Sequence, residues 1–406
     1  TILYFDHTAS MSGGEIALLH LLQALDRARY VPLVVLGIDG PLAQRLQAMG
    51  IETLVLPLDP QVAQTRKDSL KGGGLLRLGS LGRSLRYALR LARLMRSRQV
   101  DLVHTNSLKA DILGGIAARL AGVPVIWHVR DRIADDYLPA LAARGFRLLC
   151  RLLPHYIIAN SHATLQTLST PPHGGAAVIH SGVVRSSLRV VHDGVPDPVL
   201  SASSEVGGRS PVIGLVGRIS PWKGQHIFIS AASAVVKRYP TARFEIIGSA
   251  LFGEEAYERE VRSQVQGLGL EGCVEFTGFC EDVQSRMQGL DILVHASTTG
   301  EPFGQVVVEG MVLGKPVVAT NGGGVPEIVL DGETGVLVPM GDAVSMAEAI
   351  CGLLADPARA QAMGLAARNR ALDHFTVDLA AQKVQQVYDL FCKPGSRGKP
   401  DSAIGV

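Results

Sequence analysis

Two carboxylates lie eight positions apart in the segment Glu301–Glu309, which reads EPFGQVVVE. The apolar run after Gly304 predicts a helix, so Glu301 is expected on the loop before it and Glu309 two turns inside it, on the face that returns toward the same pocket. The backbone N–H groups near Gly304 and Gln305 would carry the partial positive charge of a helix start and could receive a phosphate. Carboxylates that hold sugar hydroxyls beside such an anion site suggest a nucleotide sugar as the ligand.

A plainer interpretation of the same pair stays open. Glu301 would then be a helix-start acid favoured by the dipole, and Glu309 a solvated surface residue. The neighbours of Glu309 are apolar on nearly every side, however, which indicates a buried helix. Because an ionised carboxylate is costly to bury without partners, we expect Glu309 to meet a ligand or a basic group.

Two cations follow the first predicted strand of the C-terminal half, in the segment GRISPWKG. Arg218 and Lys223 are expected at the carboxyl end of that strand, where open α/β sheets bind ligands. A planar guanidinium and a compact ammonium together suit a diphosphate. An Arg and a Lys on a loop are often only solvated, and it is their position at the strand end that favours the functional interpretation.

Two glycines, Gly13 and Gly14, follow the first predicted strand and precede a helix that starts near Glu15. Glycine lets a backbone approach a ligand closely, and a helix start favours an anion. A Gly-Gly turn is weak evidence alone, because most such turns only reverse the chain. The three-glycine dinucleotide fingerprint does not follow any predicted strand, which disfavours a nicotinamide enzyme.

Polar residues end two further strands of the N-terminal half. His128 ends one apolar strand and is followed by Arg130, while His104 ends an earlier strand and Asn106 lies just beyond it. A lone histidine is more often a hydrogen-bonded core residue, but a position at the carboxyl edge of a sheet gives the functional alternative for His128 equal weight.

Strand-length apolar runs alternate with helical patterns from the first residue, which predicts an α/β protein with two doubly wound parallel sheets and a cleft between them. At 406 residues two domains are the default expectation. The predicted boundaries are 1–185 for the first domain, 186–210 for a linker, 211–375 for the second domain, 376–392 for a terminal helix that packs back on the first domain, and 393–406 for a disordered tail.

The overall composition is that of an ordinary soluble protein, with a formal charge of +2 and 47% hydrophobic residues. The five cysteines are widely spread and include no C-x-x-C pair, so a reducing cytoplasm is expected and a cysteine zinc site is not. The first residues lack the pattern of a secretory signal, and no uncharged apolar run is long enough to span a membrane. We expect no nucleic-acid partner.

Basic residues are concentrated between Thr65 and Arg98, where ten cations and one acid give a local charge of +9 and leave −7 for the rest of the chain. Within 77–98, arginines and leucines follow neighbouring helical stripes, Arg83, Arg86, Arg90 and Arg93 beside Leu81, Leu85, Leu89 and Ala92. This helix could dock on the anionic lipids of a membrane surface. The alternative, with the leucines in the core and the arginines in water, stays open.

Together these motifs resemble those of the retaining glycosyltransferases of family 4, whose fold is called GT-B. The resemblance covers nearly the whole chain and rests on Gly-Gly after the first strand, a strand-end histidine, G-R-x-x-x-x-K-G and E-x7-E, in this order. It implies that a sugar moves from a nucleotide diphosphate sugar to an acceptor hydroxyl with retention at the anomeric carbon. Cell-surface polysaccharide or glycolipid assembly would be the setting, with an acceptor that could be lipid-linked.

The resemblance also implies roles for particular residues. Gly14, with Gly13 before it, would approach the donor phosphates, and Arg218 and Lys223 would bind the diphosphate. Glu309 would hold the ribose and Glu301 the transferred sugar. The remaining roles are backbone contacts from the segment Phe303–Gln305, a contact of His128 near the reacting centre, and acceptor-side positions at His104, Asn106 and Arg130.

No metal or other cofactor is expected. The sequence contains no Asp-x-Asp pair, the usual ligand for a divalent ion on a nucleotide diphosphate, so positive side chains would have to neutralise the leaving group. Two rivals stay open, a nucleotide-sugar 2-epimerase of the same fold and a non-catalytic subunit of a polysaccharide-assembly complex. The chain departs from many relatives at 180–182, where His-Ser-Gly stands in place of a segment with Asn-Gly.

Overall fold

The computed structural model describes residues 1–59, 78–134, 138–168, 187–190, 193–195, 210–251 and 253–392. The chain forms two compact units. The first comprises Thr1–Ala159, Leu168–Val191 and Asp378–Val406, and the second comprises Asn160–Thr167 and His192–Val377.

The elements are numbered in chain order over the described residues. From Ile2 to Val190 they are β1 (Ile2–Asp6), α1 (Gly13–Gln23), β2 (Pro32–Leu36), α2 (Pro41–Ala48), β3 (Glu52–Val55), α3 (Leu78–Ser97), β4 (Leu102–Thr105), α4 (Leu108–Ala121), β5 (Val125–Val129), α5 (Ala140–Leu152), β6 (Tyr156–Ala159), α6 (His162–Leu168) and β7 (Ser187–Val190).

From Val212 to Tyr388 they are β8 (Val212–Val216), α7 (Gln225–Val235), β9 (Arg243–Ile247), α8 (Glu255–Gly267), β10 (Val274–Gly278), α9 (Val283–Gln288), β11 (Ile292–His295), α10 (Gln305–Val312), β12 (Val317–Thr320), α11 (Val325–Ile328), β13 (Val336–Val338), α12 (Ala343–Ala355), α13 (Pro357–His374) and α14 (Val377–Tyr388).

Each unit is built on one parallel sheet. The sheet of the first unit has the order β3-β2-β1-β4-β5-β6-β7, and that of the second has the order β10-β9-β8-β11-β12-β13. Every pairing between neighbouring strands is parallel. The predicted class, two doubly wound α/β sheets, is confirmed.

Helices cover both faces of the first sheet, because successive side chains of a strand point to opposite sides. On one face Leu3 and Phe5 of β1 pack in a cluster with buried residues of α3, α4 and α5. On the other face Ile2 and Tyr4 pack with buried residues of α1, α2 and α14. The last helix therefore lies in the core of the first unit.

One prediction about local structure is wrong, and one of two open alternatives is excluded. Strand β7 pairs with β6 inside the segment 186–210 that was predicted as a linker, because hydrogen bonds to a neighbouring strand stabilise a segment too short to show a period of its own. The alternative that placed the leucine stripe of α3 in the core is excluded, because Leu81, Leu85 and Leu89 are exposed. The buried residues of α3 include Tyr87, Leu91 and Met95. Ala92 alone of the predicted apolar stripe is buried.

Several other predictions fall outside the described residues. They are most of the linker, the tail at 393–406, the segment 180–182 and the basic residues Arg66, Lys67, Lys71 and Arg77. Among the described helices, none combines the length and apolar content that a membrane span requires.

Candidate functional site

Helix α10 begins immediately after Gly304, as the apolar run predicts. Gly304 has a φ of +113°, and a side chain there would meet Ile328 Cδ1 at 3.2 Å and Val325 Cγ2 at 3.3 Å. The positive φ favours glycine, and any side chain at this position would also crowd these two apolar side chains. It lets the chain turn so that the first N–H groups of α10, which lie outside the intrahelical hydrogen bonds, follow directly after the loop that carries Glu301.

Glu301 is nearly buried and is held by three side chains. Lys223 Nζ donates to its two carboxylate oxygens at 2.9 and 3.1 Å, Ser297 Oγ donates to Oε2 at 2.9 Å, and His295 Nε2 lies 3.2 Å from Oε2. Burial opposes ionisation, but the Lys223 ammonium and the His295 contact outweigh it and hold the pKa of Glu301 well below its ordinary range. Glu301 is an ionised, preorganised acceptor.

Lys223 reaches Glu301 because of the turn that follows it. Gly224 has a φ of +74°, and a Cβ there would lie 1.9 Å from the carbonyl oxygen of Ala296, just after β11. Only glycine lets the loop after β8 pass this close to the end of β11. The ammonium also lies 4.2 Å from the centre of the Trp222 ring, a cation–π distance.

Glu309 lies in α10 as predicted, but it is the fifth residue of the helix and so about one turn from its start instead of two, and it is half-buried. Gln305 Nε2 donates to its Oε1 at 3.1 Å. Removal from water raises the pKa of Glu309 to about 7, although the Gln305 hydrogen bond and the charge of Lys223 act in the opposite direction. The side chain that contacts Glu309 directly is thus the amide of Gln305. The basic group that the sequence analysis expected is Lys223, which acts on Glu309 through its charge.

Arg218 forms an ion pair that the sequence did not suggest, with its Nε 3.3 Å from Glu254 Oε2. Its backbone carbonyl accepts a hydrogen bond from Gln225 Nε2 at 2.9 Å, which fixes the loop after β8. Phe303 is buried against Phe375, so its side chain belongs to the core, and its predicted backbone contact with the donor stays a prediction.

A second polar cluster lies in the first unit, at the carboxyl ends of β1, β4 and β5. Asn106 Nδ2 donates to Asp6 Oδ2 at 2.8 Å and to the Gly14 carbonyl at 3.0 Å, and Arg130 Nε donates to Asn106 Oδ1 at 2.8 Å. Asn106, Arg130 and Gly14, which the sequence singles out separately, are brought together. Gly13 is exposed at the first position of α1.

The two strand-end histidines of this cluster contact each other, with His104 Nε2 lying 3.1 Å from His128 Nδ1. The Tyr388 hydroxyl lies 2.7 Å from His104 Nδ1, and Arg130 Nη2 lies 3.2 Å from His128 Nδ1. Burial and the Arg130 charge lower the pKa of His104 to about 3 and the pKa of His128 well below its ordinary value. Both rings are therefore neutral at pH 7.

Sequence reasoning missed Ser297, His295, Glu254, Asp6 and Tyr388 as members of these clusters. Two of them could have been found from the sequence, because His295 and Asp6 are the last residues of β11 and β1, and His128 is the residue before the last of β5. Tyr388 carried none, since it lies 284 positions from its partner His104.

Comparison with known proteins decides the family. Residues 198–370 match the model for "Glycosyl transferases group 1", and residues 11–186 match that for "Glycosyltransferase Family 4". A D-inositol 3-phosphate glycosyltransferase of Corynebacterium diphtheriae is 31% identical over 308 residues, which cover 71% of this chain and 70% of the relative. The chain belongs to glycosyltransferase family 4.

A further curated relative matches over a shorter span. A GDP-mannose-dependent alpha-(1-6)-phosphatidylinositol monomannoside mannosyltransferase of Mycolicibacterium smegmatis is 34% identical over 184 residues, 41% of this chain and 45% of the relative. The chain thus spans about half the length of some curated relatives that it matches.

A solved structure is similar over nearly the whole chain. HepE of Anabaena in complex with UDP and glucose superposes with a TM-score of 0.79 and 28% identity, over 96% of this chain and 99% of HepE. The two Rossmann-like units are therefore those of the GT-B fold of glycosyltransferase family 4.

Proposed function

We propose that this protein is a retaining, metal-independent hexosyltransferase that moves a sugar from a nucleotide diphosphate sugar to an acceptor hydroxyl, in the assembly of a cell-surface polysaccharide or glycolipid. The observation that carries the proposal is the cluster at the start of α10. There an ionised Glu301 forms an ion pair with Lys223 on the loop before the helix, and Glu309 lies in the helix itself. HepE, bound to UDP and to UDP-glucose, supports a nucleotide-sugar donor.

The chemistry of the proposal follows from charge. Diphosphate oxygens compete with Glu301 for Lys223, and the fork of Arg218 and the first amides of α10 offer further donors. Glu301, released from part of its ion pair, accepts hydrogen bonds from hydroxyls of the transferred sugar, and Glu309 accepts from the ribose. As the sugar–phosphate bond breaks, the cations stabilise the negative charge that develops on the departing diphosphate.

Retention requires that the acceptor attacks from the face that the nucleotide leaves. In the proposal the donor phosphate takes the acceptor proton, so no protein carboxylate has to act as the nucleophile. The anomeric configuration of the product, read by proton NMR, tests this step directly, and an inverted product would refute it. Unchanged turnover after chelation is the expected result for a transferase without a metal ion.

The diphosphate assignment is tested by Arg218→Ala and Lys223→Ala. Each change removes a charged hydrogen bond of roughly 1.5 to 3 kcal/mol, so turnover should fall about tenfold to over a hundredfold. The matched control is Lys237→Ala, which removes an exposed cation two residues after the end of α7, in the same unit. Release of nucleotide diphosphate is the readout, and equal rates in all three variants would contradict the assignment.

The donor base is identified by a thermal-shift panel of UDP, GDP and ADP with their sugars, because a ligand that binds only the folded state raises its stability. The 2-epimerase rival predicts an epimerised nucleotide sugar in the absence of any acceptor. The non-catalytic rival predicts a stabilising ligand without turnover.

We also propose that α3 docks the first unit on an anionic membrane at its cytoplasmic face, where a lipid-linked acceptor would be found. Leu81, Leu85 and Leu89 are 69%, 51% and 39% exposed. Arg86, Arg90 and Arg93 lie on the exposed side of the same helix and form no ion pair with the described residues. The leucines would contact the acyl chains of the membrane, and the arginines would contact the anionic headgroups above them.

Helix α5, on the same face of the first sheet as α3, supports this docking surface. It exposes Leu141, Leu148 and Leu152, contains three arginines and has no acidic residue. Its apolar and basic side chains thus repeat the composition of α3 on a second helix.

A further inference from the structure

A chain of three polar contacts runs through the interior of the first unit, from the last helix to the end of β5. The Tyr388 hydroxyl lies 2.7 Å from His104 Nδ1, His104 Nε2 lies 3.1 Å from His128 Nδ1, and Arg130 Nη2 lies 3.2 Å from the same Nδ1. Tyr388 and His104 are fully buried, and His128 is nearly so. Water therefore cannot easily replace any of these contacts.

The proton positions along the chain follow from what each group can do. A guanidinium only donates, so His128 Nδ1 must accept from Arg130. Because both rings are neutral, each carries one proton, and His104 must donate its Nε2 proton to the same lone-pair atom. His104 Nδ1 is then an acceptor, and the Tyr388 hydroxyl donates to it. The reverse order would place the donor Arg130 against an N–H group.

We propose that Arg130 and His104 together fix His128 in the tautomer with its proton on Nε2, and that Tyr388 is a positioning residue which, by donating to His104 Nδ1, keeps His104 as the second of these two donors. With two donors directed at Nδ1, Nε2 is left as a hydrogen-bond donor and carries no lone pair for a proton. His128 can then donate to an oxygen through Nε2, and it cannot serve as a general base through that atom.

The placement of Tyr388 gives the last helix a role beyond packing. Helix α14 supplies Val384, Val387 and Tyr388 to the core layer that covers β1 and β4, and Tyr388 contacts His104 from within that layer. The second donor to His128 Nδ1 therefore depends on the docking of a helix whose contacting residue, Tyr388, follows His128 by 260 positions. The significance for catalysis rests on the proposed function, whereas the proton positions rest on the contacts alone.

The proton positions are tested by NMR on protein labelled with ¹⁵N-histidine, with His104→Gln used for assignment. We expect a pyrrole-type Nε2 and a pyridine-type Nδ1 for both His104 and His128 at pH 7. A pyrrole-type Nδ1 on His128 would overturn the proposal. This result does not depend on whether the protein turns over a nucleotide sugar, so it is separate from a failure of the proposed function.

The positioning role is tested with Tyr388→Phe against Tyr30→Phe. Tyr30 packs edge-on to Tyr388 at 5.5 Å and bonds to the Gln385 carbonyl and Asp389 of the same segment, but it does not contact His104. Loss of the hydrogen bond from Tyr388 to His104 should lower kcat/KM about two- to tenfold in Tyr388→Phe and should shift the His104 nitrogen signals. Tyr30→Phe should change neither quantity. Equal losses in both variants would reduce Tyr388 to a packing residue and overturn its positioning role.

Discussion

At Glu309, the folded protein holds a carboxyl group whose pKa is about 7, against an ordinary value of 4.5. A raised carboxyl pKa means that the protonated form is favoured by folding. Its contribution to stability is fully present below pH 4.5 and is lost as the pH rises toward 7. Under the proposed function, a ribose hydroxyl that donates to Glu309 would favour the ionised form, and donor binding would then be linked to the proton of Glu309.

We therefore expect Glu309→Gln to remove a pH-dependent loss of stability. Between pH 5 and pH 8 the free energy of unfolding of the wild type should fall by about 2 to 3 kcal/mol more than that of the variant. Urea unfolding across this range measures the difference. Glu348→Gln, which changes an exposed glutamate of α12, should follow the wild type, and parallel curves for all three proteins would contradict the raised pKa.

Glu301 differs from Glu309 because a cation lies against it, with Lys223 Nζ within 3.1 Å of both carboxylate oxygens. Its lowered pKa contributes stability above the unfolded value of 4.5, and this contribution is lost as the pH falls toward the folded value. Both side chains are largely shielded from water, so the interaction is only weakly screened.

A double-mutant cycle of Lys223→Met and Glu301→Gln should give a coupling energy of about 1 to 3 kcal/mol at pH 7, because each single change leaves the other group in a buried site without its charge partner. The exposed pair Arg262–Glu258 on α8 is the control cycle, and its coupling should be below about 0.5 kcal/mol. Equal couplings in the two cycles would show that the Lys223–Glu301 pair is solvated.

The residues that the sequence identifies are those with local signals. The spacing of Glu301 and Glu309 and the segment from Arg218 to Lys223 each lie within ten positions, beside an apolar run that predicts a strand or helix. The ion pair of Arg218 with Glu254 and the contact of Tyr388 with His104 join distant segments, and no local pattern reports them. Proton positions and pKa shifts depend on such contacts and on burial, so they require the structure.

At the scale of elements, α3 shows where periodicity alone was ambiguous. A helix with leucines and arginines on neighbouring stripes fits either a core helix or a surface helix, and only the structure shows that the buried face is the one with Tyr87, Leu91 and Met95. The leucine stripe is thus an extra apolar surface rather than the packing face. Exposed leucines on a helix that has a separate packing face favour a partner outside the unit.

Replacing Leu81, Leu85 and Leu89 together by serine should abolish binding to anionic vesicles while leaving the fold intact, because none of the three is part of the core. Sedimentation with phosphatidylserine-containing and phosphatidylcholine vesicles measures binding, and the wild type should sediment only with the former and less at high salt. Leu365→Ser, at an exposed leucine of α13, is the control. Equal sedimentation of the wild type with both lipids would contradict the docking surface.

At the scale of the whole molecule, the chain builds its first unit from both of its ends. Helix α14 contributes Ala381, Val384, Val387 and Tyr388 to the layer that covers Ile2 and Tyr4 of β1. Val384 and Val387 are each 1% exposed. The first residue of α14, Val377, and the segment just before it belong to the second unit. The alternation of strands and helices predicts two sheets, but it does not report which residues of α14 enter the core of the first.

The double variant Val384→Ala and Val387→Ala should therefore destabilise the first unit selectively. Each truncation leaves a cavity against β1 and costs on the order of 2 kcal/mol, so amides of β1, β2 and β4 should lose protection in hydrogen exchange while those of β8, β11 and β12 keep theirs. Val308→Ala in α10, a buried valine in the core of the second unit, should give the opposite pattern. Loss of protection in both sheets after either change would mean that the two units unfold as one cooperative body, and Tyr388 would then report on the stability of the whole chain rather than on the first unit alone.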